Sequence, residues 1–114
     1  MSSARAHRTA EETADLRARA LEHLARAGAR SEYVQQQVAA VMAALDFVDG
    51  LAPGPVSGRA LDGPASDTDV LTELRQTIDA ERAAMTARED GTYLGMVGVT
   101  LSWVRCEAGG RLPV

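Results

Sequence analysis

Three side chains have the chemistry most often recruited for catalysis or metal binding: His7, His23 and Cys106. A nucleophilic or acid–base site needs one of them beside a base or an orienting carboxylate. Glu22 adjoins His23 in sequence, but consecutive residues on a helix diverge. No second histidine stands at helical spacing from His23, so no zinc site follows. A lone cysteine excludes an intrachain disulfide and any cysteine-cluster metal site, and Cys106 reads as a small packing element. "GPVSGRALDG", residues 54–63, is glycine-rich, yet it lacks the lysine and the strand-to-helix setting of a phosphate loop. The sequence therefore assigns no catalytic, cofactor-binding or metal-ligating residues and predicts a protein that is not an enzyme.

A second chemistry is base reading. "LARAGARSEYVQQQVAAV", residues 24–41, resembles a degenerate helix-turn-helix within residues 21–41. Arg30, Tyr33, Gln35 and Gln36 would be its DNA contacts, because arginine and glutamine match base edges. Arginines at 5, 8, 17, 19 and 26 would meet phosphates. Against this, Ala25 to Gly28 is one residue short of the usual alanine-to-glycine spacing. The net charge is −4, and an acidic chain without a basic stripe is a poor nucleic-acid binder. A small DNA-binding regulator stands as the alternative reading.

The elements that would position such residues are helical. At 114 residues the chain is one domain, and its 46% hydrophobic and 25% charged fractions are those of a globular protein. Tyr33, Phe47, Tyr93 and Trp103 are the only aromatic residues, and alanine is the commonest residue, a balance that favours helix over sheet. All twelve basic residues are arginine, with no lysine or asparagine and one isoleucine, as expected of a GC-rich coding genome such as that of an actinobacterium or its phage. The sequence predicts an all-α, small four-helix bundle-like domain. Its helices run over about 9–27, 31–49, 67–89 and 92–107, with a long Pro/Gly loop at 50–66 between the second and third. Residues 1–8 read as a flexible basic tail, 9–108 as the helical domain and 109–114 as a C-terminal tail.

Local signals support each helix. "TAEE" at 9–12 is a capping box, Ser31 can cap the second helix, and Ser66 or Asp67 the third. Leu16, Ala20, Leu24 and Ala27, with Leu21 beside them, predict the buried stripe of the first helix. Val34, Val38, Val41, Met42, Leu45 and Val48 hold one face of the second for four turns, flanked by a row from Tyr33 to Phe47. Val70, Leu71, Leu74, Ile78 and Met85 predict a thin stripe on the third, which Gly91 would stop.

The last apolar stretch begins "GTYLGMVGVTLSWV" at Gly91. Its fourteen uncharged residues are too few to span a bilayer, which takes about 20. A strand would place Met96 and Val104 on the wrong side and be weakened by its glycines. A helix orders the residues better: Leu94, Val97, Leu101 and Val104 on one face, Met96, Val99, Thr100 and Trp103 on a second. Gly91, Gly95, Gly98, Ser102 and Cys106 form a third face of small residues that lets another backbone approach.

These features predict a non-enzymatic interaction or assembly protein, self-associating or a small subunit of a larger bacterial or phage complex, that completes its core with a protein partner. The expected interface is the fourth helix, at Gly95, Met96, Gly98, Val99, Ser102 and Trp103. No cofactor and no membrane partner are expected. With no apolar leader at the N-terminus, the expected location is the cytoplasm.

Overall fold

A computed structural model describes residues 7–28, 30–106 and 112–114. They form four helices, α1 (Ala10–Ala27), α2 (Glu32–Val48), α3 (Asp67–Thr86) and α4 (Thr92–Val104), and among the described residues there is no strand. The domain is a small all-α bundle. α1 and α4 both pack on α2, and α3 packs on α4. The fourth helix thus lies between two others, as its apolar surroundings require.

Side chains set the helix starts. Thr9 Oγ1 accepts from Glu12 N at 3.1 Å while the Glu12 carboxylate accepts from Thr9 N at 3.0 Å. Ser66 and Asp69 repeat the reciprocal pair at α3, with Asp69 N donating to Ser66 Oγ at 3.1 Å and Ser66 N to Asp69 at 3.0 Å. Ser31 Oγ takes Val34 N at 3.2 Å. Each such cap satisfies main-chain donors that the first turn leaves unpaired.

α3 stops at Thr86, short of the expected position near 89. The chain turns at Arg88, whose φ of 58° is left-handed, and Glu89 N donates back to Ala84 O at 2.8 Å. Gly91 is instead the first residue flanking α4.

The core is drawn mainly from α2 and α4. Val41, Leu45, Phe47, Val97, Leu101 and Val104 are fully enclosed, joined by Leu16 of α1 and Val70 of α3. Both predicted rows of α2 are buried over Val38–Val48 except at Met42, which is partly buried, with Ala40 and Ala44 completely covered, while Tyr33 is exposed. On α1, Leu16 and Ala20 are buried and Leu24 packs at the edge, but Leu21 and Ala27 face solvent, so the stripe is narrower than expected.

The face that α3 buries is Val70, Glu73, Leu74, Thr77 and Ala84, rotated from the predicted stripe. Ile78 and Met85, expected inside, are exposed. The inward face includes a carboxylate, Glu73, and a threonine, Thr77, neither of which belongs to the apolar pattern.

Residues 50–66 carry no helix but are tied down by their own main chain: Ala65 N donates to Val48 O and Gly54 N to Arg59 O. Of the segment assigned from sequence to a flexible tail, Arg8 docks on the end of α4 and His7 lies against Asp67 at the start of α3, while residues 1–6 lie outside the described residues. In the C-terminal tail, Pro113 is buried and Val114 packs on the core; residues 109–111 lie outside the described residues. No helix among the described residues is long and apolar enough to cross a membrane.

Candidate functional site

The small-residue face of α4 meets α3 of the same chain. A methyl added at Gly98 would lie 3.7 Å from Thr77 Cγ2 and 4.0 Å from Leu74 Cδ1, and one at Gly95 would lie 2.9 Å from a Glu81 carboxylate oxygen. The two glycines expected to receive a separate partner therefore receive the third helix. Of the other residues expected at that interface, Trp103 is only 5% exposed, Met96 packs against the core, Ser102 is half-buried and Val99 faces solvent.

Trp103 is covered by the N-terminal segment. The Arg8 guanidinium lies 4.8 Å from the centre of the Trp103 ring, and its Nε donates to Trp103 O at 2.8 Å. Arg8 N donates to Val104 O at 2.8 Å, so Arg8 satisfies two carbonyls at the end of α4. Its remaining charge meets Glu12 at 3.2 Å. Beside this stack is an open cavity of about 470 Å³, lined by Arg8, Glu12, Asp15, Leu16, Arg19, Trp103 and Leu112. Arg19 donates across its rim to the main-chain oxygen of Val114 at 3.1 and 3.2 Å.

A small ion network closes the same end. Asp67, at the start of α3, accepts from Arg105 Nε at 3.0 Å and lies 3.7 Å from His7 Nε2. The Arg105 hydrogen bond, with the Arg105 and His7 charges, holds the Asp67 carboxyl below its ordinary value.

The outer flank of α3 is half-buried at Leu71 and opens to solvent further along, at Ile78 and Met85. Leu71, Ile78 and Met85 recur every seven residues and so lie along one side of the helix. Ile78 is 38% exposed and Met85 70%. This stripe sits next to the buried face rather than on it. Sequence spacing alone revealed the stripe; its position outside the core depends on Glu73 and Thr77 turning inward.

The proposed DNA contacts are divided. Arg30, Tyr33 and Gln35 are exposed. Gln36 hydrogen-bonds Asp90, whose carboxyl is lowered by its hydrogen bonds to Thr92 and then by Gln36. Gln37 meets His23 Nε2 at 3.3 Å. The arginines expected to reach phosphates are engaged within the chain. Arg17 donates to Asp46 at 2.7 Å and to Asp49 at 2.9 Å, Arg26 pairs with Glu22, and Arg8 and Arg19 are held as described. Partial burial works against the Arg17 charge, but its two aspartate partners outweigh that cost and raise its pKa. Arg5 lies outside the described residues.

Of His7, His23 and Cys106, the first lies 3.7 Å from the Asp67 carboxylate, and the other two have separate partners. His23 bonds Gln37, Cys106 Sγ sits 3.8 Å from Val104 O, and neither lines the cavity. Among the described residues no group of three or more His, Cys, Asp or Glu side chains is placed to hold a metal ion. Glu73, which the sequence reading did not single out, is the one acidic side chain that is fully buried among the described residues. Its place between Val70, Leu74 and Thr77 at helical spacing was the available signal.

Fold and surface together define a small all-α bundle with an exposed apolar stripe on one flank. Comparison with protein-family models, with curated proteins and with solved structures finds no match to the chain.

Proposed function

We propose that this domain is a non-enzymatic assembly unit that self-associates through the outer flank of α3. The observation that carries the reading is the seven-residue stripe Leu71, Ile78 and Met85, with Met85 70% exposed on an otherwise charged helix. Apolar residues repeating every seven positions occupy one of the two places per heptad that make up a helix-pairing seam, and methionine is frequent at interface centres. α3 already occupies the small-residue face of α4, so the proposed contact moves from the fourth helix to the third. The same reading places the protein in the cytoplasm, where a lone thiol such as Cys106 stays reduced.

Solution mass tests it. The chain is expected to sediment above its monomer mass at high protein concentration, and Met85→Glu and Ile78→Arg are expected to return it to monomer with the helix content intact. A wild-type chain that stays monomeric at every concentration removes the reading.

DNA binding keeps one supporting observation, the exposure of Arg30, Tyr33 and Gln35 around the start of α2. Titration with duplex DNA at low salt decides it: binding lost on Arg30→Ala would favour that reading, and no binding would end it.

A further inference from the structure

Glu73 lies on the buried face of α3 with none of its surface in contact with solvent. Its Oε2 accepts from the main-chain N–H groups of Val56, at 2.8 Å, and Ser57, at 2.9 Å. Its Oε1 accepts from Ser57 Oγ at 2.5 Å. Ser57 Oγ in turn accepts from Arg59 N at 3.0 Å. All of these donors lie in one six-residue segment of the Pro/Gly loop.

That segment is closed on itself. Gly54 N donates to Arg59 O and Gly58 N to Gly54 O, both at 2.9 Å. Gly54 has no room for a side chain: a methyl there would overlap the Glu73 carboxylate and stand 2.5 Å from Ser57 Oγ. Beyond Glu73, Arg59 also meets α3, its Nη2 3.4 Å from Asp69 O and 3.6 Å from Asp69 Oδ1, a contact of little strength, and Val56 packs against the core edge.

We propose that residues 54–59 are a strap latched to α3 by the Glu73 carboxylate, opening and closing as one unit while the helices stay folded. A buried carboxylate is tolerated only when its desolvation is offset by well-placed donors. Three donors on one short, self-closed segment must arrive or leave together, because losing part of the set leaves a buried charge under-satisfied. When the strap lifts, water reaches Glu73 and the partly buried side chain of Val56 leaves the core edge. The ties at Ala65 N to Val48 O, beyond the strap, hold the rest of the loop in place. Such a unit is a local opening, distinct from global unfolding.

Residue-resolved amide exchange on the full chain tests this. In the wild type, Val56, Ser57, Gly58 and Arg59 are expected to exchange together, and faster than Val41 and Leu101 in the cores of α2 and α4. Ser57→Ala removes one donor without opening a large cavity and is expected to speed the strap amides about tenfold, the value of a hydrogen bond to a charged group. Glu73→Gln keeps the shape and removes the charge, with the same direction expected. In both variants the α2 and α4 amides are expected to hold their rates within about twofold. Strap amides as slow as the helix cores in the wild type would overturn the proposal. So would unchanged strap rates in both variants, or equal acceleration of every amide.

Discussion

Arg8 sits over the Trp103 ring, 4.8 Å from its centre, and hydrogen-bonds the carbonyl of that same residue, although the two are 95 positions apart in the chain. A cation over an aromatic face contributes about 0.5–2 kcal/mol, and Arg8 adds a donor to each of the last two carbonyls of α4, Trp103 O and Val104 O. Residue 8 is therefore part of the fold. Arg8→Ala is expected to lower stability by roughly 1–3 kcal/mol, combining the stack with a charged hydrogen bond. Arg8→Lys should recover little of it, since lysine has neither the planar fork nor the stacking surface. Denaturant titration gives the loss, and Trp103, the only tryptophan, reports it by a red-shifted native fluorescence.

Asp67 gives a pH signature. Its carboxyl is held below the ordinary value of 3.8 by Arg105, so the folded chain binds fewer protons there than the unfolded one. The stabilisation is complete above that ordinary value and drains away as the pH falls through the lower, folded one. Arg105→Ala is expected to be less stable than wild type at neutral pH, with the gap closing as the pH falls below 3.8 and through the lower, folded value. The pair is partly open to solvent, with Asp67 44% exposed, so the gap should also shrink in 1 M salt. Equal gaps throughout that pH range would show that Arg105 acts through packing rather than charge.

The fold was readable where a physical rule acts over a few residues. Thr9 with Glu12 and the serines at 31 and 66 mark helix starts because their side chains reach nearby main-chain donors. The valines of α2 repeat in step with the helix. Arg8 and Trp103 carried no such signal, because nothing within either segment specifies the other. The inward face of α3 was misread for a different reason. Glu73 and Thr77 satisfy their polar groups internally, Thr77 Oγ1 donating to Glu73 O at 2.8 Å, and so a polar pattern is buried beside an apolar stripe that is not. The candidate interface moved with it: the fourth-helix glycines face side chains of α3, with an ordinary van der Waals gap at Gly98 rather than a close backbone approach.

The glycines of α4 lead to a prediction opposite to the usual caution about small-residue contacts. At Gly98 an added methyl meets Thr77 and Leu74 at ordinary van der Waals distance. Alanine there fits and removes the conformational cost of glycine in a helix. Gly98→Ala is expected to stabilise the fold by about 0.8–1 kcal/mol. Gly98→Leu would reach past the free space into α3 and is expected to destabilise by about 1–3 kcal/mol. Thermal and denaturant unfolding of the two variants against wild type decides the point; a destabilising alanine would mean the helices are closer than described.

Arg88 occupies the left-handed position that ends α3, with φ 58°. A side chain there costs roughly 1–2 kcal/mol that glycine does not, and the position is exposed. Arg88→Gly is expected to raise stability by up to about 1 kcal/mol, less than the full strain because glycine also frees the unfolded chain. No change on denaturation would indicate that the arginine side chain offsets its own strain.

Gly50 and Gly58 separate conformational strain from steric exclusion. Both hold positive φ, 75° and 72°. At Gly58 an added methyl meets nothing within 4 Å, whereas at Gly50 it would overlap the Gly63 carbonyl group and lie 2.9 Å from Pro64 N. Gly58→Ala therefore incurs only the left-handed penalty, about 1–2 kcal/mol. Gly50→Ala adds a collision with main chain that cannot rotate away, and it would push apart the two ends of the loop where Ala65 N reaches Val48 O. It is expected to cost at least about 1 kcal/mol more than Gly58→Ala, the least that overpacking a close contact usually costs. Equal losses in the two variants, measured by denaturant unfolding, would mean that the chain near Gly63 yields and that this end of the loop is not fixed by close packing.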